Sequence, residues 1–209
     1  MTSVTPGRRE QKKAATRAAI EAAAMALFAR DGFGATTIPA IAAACDVAPR
    51  TFFRYFASKE DVLFAAGADR LELLVDLVRA EPHDRGSFAV VRSAMLTLAV
   101  EYDRQRAAVL LHAAVLERNP ELRSRGTEAQ QEWEARLVKA LSERADTDTE
   151  RAQTLEVRLV AGVAIAGLRA AVDEWVAGGC MSDLGGLVAE AFELFTALEQ
   201  KRTTTRGEA

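Results

Sequence analysis

Apolar residues recur at helical spacing along almost the whole chain, and the breaks in that pattern divide it into about nine helices. Ile20, Ala24, Leu27 and Phe28 form the stripe of a long first helix that stops near Gly32 and Gly34. Thr37 stands ready to cap a second, opened by Ile38 and Pro39, with Ile41 and Ala42 as its apolar face. Cys45, Asp46 and Val47 interrupt the period, and Pro49 opens a third helix. There Phe52 and Phe56 share one face, Arg50 and Arg54 a second, Thr51 and Tyr55 a third. The fourth starts at Lys59 behind a Ser58 cap and runs to Ala80, with Leu63, Leu71, Leu74 and Val78 inward, until Pro82 and Gly86 end it. The fifth begins at Ser87 and carries Phe88, Val91, Met95 and Leu98; the sixth spans 105–118. Pro120 starts the seventh, which holds Trp133, Leu137 and Leu141 before a loop over 146–149. The eighth covers 150–177, ended by Gly178 and Gly179, and the ninth runs from a Ser182 cap to Gln200. β-Branched alternation is scarce, so the fold class is all-α.

Two short helices joined by a tight turn, the second showing arginines, form a helix-turn-helix arrangement. Guanidinium forks match guanine edges and phosphates bidentately, which makes Arg50 and Arg54 the candidate base readers. Pro49 and Phe53 share a face suited to thymine methyls, the role read for an exposed ring there, although Phe53 could pack on the first helix. Thr51, Tyr55 and Lys59 are candidate phosphate ligands, with Arg17 a weaker one. Thr37 either caps its helix or takes a phosphate at the same place.

The stretch 16–63, containing ALFARDGFGATTIPAIAAACDVAPRTFFRYFASKEDVL, resembles the DNA-binding domain of the TetR family of bacterial transcriptional repressors. The resemblance rests on the Phe28 to Gly32 signature, the Thr36 and Thr37 pair, the Ile41 and Ala42 step, and the TFFRYF block followed by Ser58 and Lys59. Two positions depart from the family pattern. Asp46 holds the turn position usual for glycine, and Ala48 replaces the serine that caps the recognition helix. Aspartate tolerates the left-handed conformation, and Pro49 pre-sets the first turn. The resemblance implies a homodimer, joined through the last two helices, on a palindromic operator of double-stranded DNA. It also implies release by a small-molecule effector.

The formal charge is -3, an unpromising balance for a nucleic-acid binder until its distribution is read. Up to Glu60 there are nine Lys and Arg against five Asp and Glu; from Asp61 onward there are eighteen against twenty-five. Salt screens charges beyond about 8–10 Å, so the field of the basic head is what a duplex meets. Arg8, Arg9, Lys12 and Lys13 belong to an N-terminal basic arm (residues 1–11 read as disordered), which is either a solvated tail or reaches DNA. The expected organisation is that arm, a DNA-binding domain over 12–58, a ligand-binding and dimerisation domain over 59–201, and a flexible tail over 202–209.

Cys45 and Cys180 lie far apart and form no disulfide framework, which fits a reducing cytoplasm. The longest apolar run, 159–168, is shorter than the ~20 residues that span a bilayer, so no membrane association is expected. No G-x-S-x-G, Walker, H-E-x-x-H or C-x-x-C motif is present, so no catalytic residue, metal or cofactor is assigned. A helical small-molecule-binding or interaction module without DNA binding, its arginines serving solubility, is the alternative reading. Ala161, Gly162, Ala164, Ala166 and Gly167 allow close helix approach on the eighth helix. Leu184, Val188, Ala191, Phe195 and Leu198 make a stripe on the ninth that fits either an internal core or a dimer. Met95, Tyr102, His112, Trp133 and Trp175 combine bulk with polar handles in aliphatic surroundings, and are candidate pocket residues for an apolar effector or plain core.

Overall fold

A computed structural model describes residues 7–144 and 150–206 of the chain. The described residues form α1 (Arg8–Asp31), α2 (Ile38–Ala44), α3 (Pro49–Phe52), α4 (Lys59–Ala80), α5 (Ser87–Arg104), α6 (Arg106–Arg118), a 3₁₀ turn (Pro120–Leu122), α7 (Arg123–Ser142), α8 (Glu150–Ala177) and α9 (Leu184–Arg206). The all-α reading holds, and several boundaries move. α1 begins at Arg8, so residues 8–11 are helical and not part of a disordered arm. Pro120 opens the 3₁₀ turn instead of α7 itself. α9 extends through Arg206, which corrects the flexible tail expected from residue 202; residues 207–209 and the loop at 146–149 lie outside the described residues.

The chain divides into two compact units. One comprises residues up to Ala68 together with Leu111–Pro120, the other Asp69–Leu110 and Glu121 onward. The division therefore falls inside α4 and not at its start. The first turns of α4 bury Val62, Leu63 and Ala65, so they belong to the head that the sequence ended at residue 58.

In the first unit Ile20, Ala24, Leu27, Phe28, Ile41, Ala42, Phe52 and Phe56 are buried, as their spacing requires. Phe28 packs on Phe33 at 4.9 Å between ring centroids and Phe52 on Phe56 at 5.9 Å, separations at which tilted rings attract. In the second unit one continuous core runs through α4, α5, α7, α8 and α9, with Leu74, Met95, Leu98, Leu137, Trp175 and Leu184 fully buried. α8 and α9 meet at Gly167, where a Cβ would stand 3.6 Å from that of Ala191, an ordinary packing contact. Arg144 donates to the Val78 carbonyl at 3.0 Å and to those of Glu81 and Pro82, which satisfies the open end of α4.

Candidate nucleic-acid interface

The turn between α2 and α3 depends on one residue. Asp46 has φ 53°, the left-handed conformation a tight turn demands, and aspartate adopts it more readily than most non-glycine residues. On its near side Thr37 caps α2, accepting from the Ala40 amide at 3.3 Å. Thr36 is buried and donates to the Gly32 carbonyl at 2.8 Å. On its far side Ala48 supplies no side-chain cap, and Pro49 starts α3 unaided.

α3 is shorter than its periodicity implies. It forms a single turn, Pro49–Phe52, and continues through bonds from Arg54 N to Thr51 O and from Tyr55 N to Phe52 O. These i to i+3 bonds tighten the backbone to about three residues per turn, so Arg54 does not sit squarely one α-turn above Arg50. The Phe56 amide then returns to the Phe52 carbonyl at 3.1 Å, and both rings are anchored in the head.

Outward of those rings stand the groups expected to meet DNA. Arg50, Arg54 and Pro49 are exposed, Phe53 is 57% exposed, and Thr51 and Tyr55 are half-buried. Phe53 keeps an edge contact to Phe52, with 5.6 Å between centroids, and does not enter the core. Arg54 rests over the Tyr55 ring at 5.1 Å and donates to its phenol at 3.2 Å, which limits the rotamers it samples. Partial burial resists ionisation of Tyr55, but bonds from Arg54 and Thr16 and the charges of Arg54 and Lys13 outweigh it and lower the pKa. Arg17 lies 5.7 Å from the Phe56 ring and pairs with Glu21 at 3.2 Å.

Lys59 behaves differently from the phosphate ligand the sequence proposed. Its ammonium donates to the carbonyls of Phe33 at 2.6 Å and Thr36 at 3.2 Å, and sits 4.4 Å from the Phe33 ring. Those groups lie 23 and 26 residues upstream, out of reach of any local pattern. Lys59 thus fastens the α1–α2 turn to the start of α4. Ser58 caps that helix as read, accepting from the Asp61 amide at 3.1 Å.

Of the five candidate pocket residues, one lies in the first unit and four in the second. His112 belongs to the first unit, where its ring meets Phe64 edge-on at 5.7 Å. Met95 and Trp175 are fully buried in the second unit's core. The Trp175 indole donates to the Ser182 carbonyl at 3.0 Å, so its polar handle closes the α8–α9 turn. Ser182 is not the cap of α9, which starts at Leu184. Asp183 is, receiving the amides of Gly185 and Gly186 at 3.0 Å each. Trp133 is half-buried against the core, and Tyr102 lies under Arg70 at 4.3 Å. A pocket of about 210 Å³ on α5 and α9 is lined by Phe88, Arg92, Phe192, Glu193, Thr196 and Ala197, none of them a candidate from the sequence.

The ninth helix divides its apolar stripe. Leu184 and Val188 enter the unit's own core, as does Phe192 beside the stripe, while Phe195 remains 37% exposed and Leu194, off the stripe, 61%. On α8, Leu155 and Leu159 are 61% and 58% exposed. The described residues contain no cluster of His, Cys, Asp and Glu arranged for a metal ion. No helix among them is long and apolar enough to cross a membrane.

Residues 20–66 match the model of bacterial regulatory proteins of the tetR family, and residues 86–200 match the MftR C-terminal domain. The HTH-type transcriptional regulator TcmR of Streptomyces glaucescens is 32% identical over 149 residues, which cover 68% of this chain and 66%, just under two thirds, of TcmR. FadR of Thermus thermophilus, a TetR family transcriptional repressor solved with lauroyl-CoA, is 28% identical with a TM-score of 0.52, over 85% of this chain and 92% of that one. A tetR-family regulator from Syntrophomonas wolfei shares the fold with a TM-score of 0.60 at 17% identity, over 89% and 95% of the two chains.

Proposed function

Because the chain belongs to the tetR family of bacterial regulatory proteins, we propose that this DNA-binding regulator is a repressor acting as a homodimer on a near-palindromic operator. One observation carries the reading. Within a single short segment Phe52 and Phe56 are buried, whereas Arg50, Phe53 and Arg54 stand in solvent. An exposed ring between two guanidinium groups suits a groove floor of base edges and thymine methyls, with Thr51 and Tyr55 beside it for phosphates. The exposed leucines of α8 and α9, joined by Phe195, supply an apolar face that a second copy would cover.

The second unit is the sensor in this proposal. FadR of Thermus thermophilus was solved with an acyl-CoA, which favours a small amphipathic effector here as well. α4 runs from the first unit into the second, so an effector held against α4 acts on a helix that also carries Lys59.

A gel shift with the DNA upstream of the protein's own coding region tests the reading. Arg54→Ala should weaken binding by about 1–3 kcal/mol and relax discrimination at one base position. Equal affinity of variant and wild type would remove Arg54 from the interface. A probe that stays free at low ionic strength would favour the helical module that does not bind DNA.

A further inference from the structure

Among the described residues two polar or charged side chains are buried, Thr36 and Arg70. Thr36 has its partner in the Gly32 carbonyl. Arg70, on α4 and only 9% exposed, is incompletely matched. Its Nη2 donates to Gln105 Oε1 at 2.8 Å, and its guanidinium lies 4.3 Å from the Tyr102 ring. Its Nε is buried without a hydrogen-bond partner. Gln105 is held in turn, its Nε2 donating to Glu101 Oε1, so its carbonyl is aimed at Arg70. Glu101 itself faces Arg104 at 3.6 Å, and among the described residues no carboxylate pairs with Arg70.

A guanidinium stays charged at any pH the protein meets, and burying it without a counter-charge opposes folding strongly. The Tyr102 ring supports one face of the plane and Gln105 takes one nitrogen, which leaves the Nε edge for another acceptor. A carboxylate or phosphate fits that edge with charge-assisted bonds. One helical turn from Arg70 stands Leu74 on α4, and one turn from Tyr102 stands Leu98 on α5, both fully buried and apolar. The cation and the Tyr102 ring therefore border the packed apolar core of the second unit, and a molecule with an anionic head and an apolar body would match both.

We propose that Arg70 receives the anionic group, a carboxylate or a phosphate, of the effector, with Tyr102 and Gln105 holding its plane. The proposal rests on the reading of the second unit as a sensor. It explains why an unpaired charge persists in the interior: the ligand completes it. It also places the ligand's charge on α4, the helix common to both units.

The test uses the full chain, wild type and the variants Arg70→Met and Arg70→Lys, in thermal melts and gel shifts with laurate, lauroyl-CoA and the neutral dodecanol. Laurate or lauroyl-CoA should raise the wild-type melting temperature and release the DNA, while dodecanol does neither. Arg70→Met should lose that response about 10–100-fold in apparent affinity. Without ligand it should melt about 2–4 °C higher, because a neutral chain of similar length removes the unpaired charge. Arg70→Lys should keep part of the response, having the charge without the fork. Laurate acting alone identifies the carboxylate, and lauroyl-CoA acting alone identifies the phosphates. Arg70→Met that melts lower and still responds as wild type overturns the proposal and leaves Arg70 a structural prop. Wild type that binds its DNA but answers neither anion also overturns it, with the regulator reading intact. Wild type that binds no DNA, yet gains an anion-dependent melting shift absent from Arg70→Met, upholds the site and overturns the regulator reading.

Discussion

In the first unit the chemically distinctive groups face outward: Arg50 and Arg54 are exposed, and Phe53 stands between them. In the second unit they face inward. The Trp175 indole meets a backbone carbonyl, Arg144 closes the end of α4, and Arg70 lies buried against Tyr102. On the proposed reading, the difference follows from what each unit recognises. A duplex is an external polyanion, so its partner can leave its cations hydrated until contact. A small effector has to be enclosed, so the groups that hold it must first be satisfied by the protein or by the ligand.

Three substitutions press on that contrast. The largest effect belongs to Phe52→Ala, which empties a fully buried ring position and should destabilise the head by about 3–5 kcal/mol. DNA binding in a gel shift should be lost while circular dichroism retains the helicity of the second unit. Loss of both together would mean that the two units melt as one. Next comes Trp175→Phe, which leaves the Ser182 carbonyl without its donor and should lower stability by about 1–3 kcal/mol in urea unfolding. Operator affinity at a temperature where the variant remains folded should be unchanged; weakened binding there would mean that the α8–α9 turn also shapes the DNA-binding state.

The smallest effect is expected from Lys59→Met, about 1 kcal/mol of stability, since its ammonium bonds to carbonyls in a partly exposed setting. This variant separates two roles. A fastening residue leaves the slope of log affinity against log salt unchanged, whereas a phosphate ligand lowers that slope by about 1. Measuring the salt dependence of wild type and variant on one operator fragment decides between them.

Much of the head was legible residue by residue. Phe52 and Phe56 are buried, Thr37 and Ser58 cap their helices, and Asp46 takes the left-handed turn. All of these are matters of spacing within a few residues. The length of α3 was not legible, because the switch from α to 3₁₀ bonding after Phe52 depends on how both rings seat in the head. The Asp183 cap had a local signal, an aspartate immediately before the helix, and Ser182 beside it was equally plausible on type alone. The amides of Gly185 and Gly186, both bonded to the Asp183 carboxylate, distinguish the two.

From the order of residues alone came the helical class, the recognition segment and the basic bias of the head, since periodicity, capping and charge act over a turn or two. Tertiary structure alone decided which half of the α9 stripe enters the core, where the boundary cuts α4, what Lys59 holds, and that Arg70 lies buried with Nε unmatched. Each of those depends on groups distant in the chain. Burial and partnership belong to the packed neighbourhood, which a helical period orients without specifying.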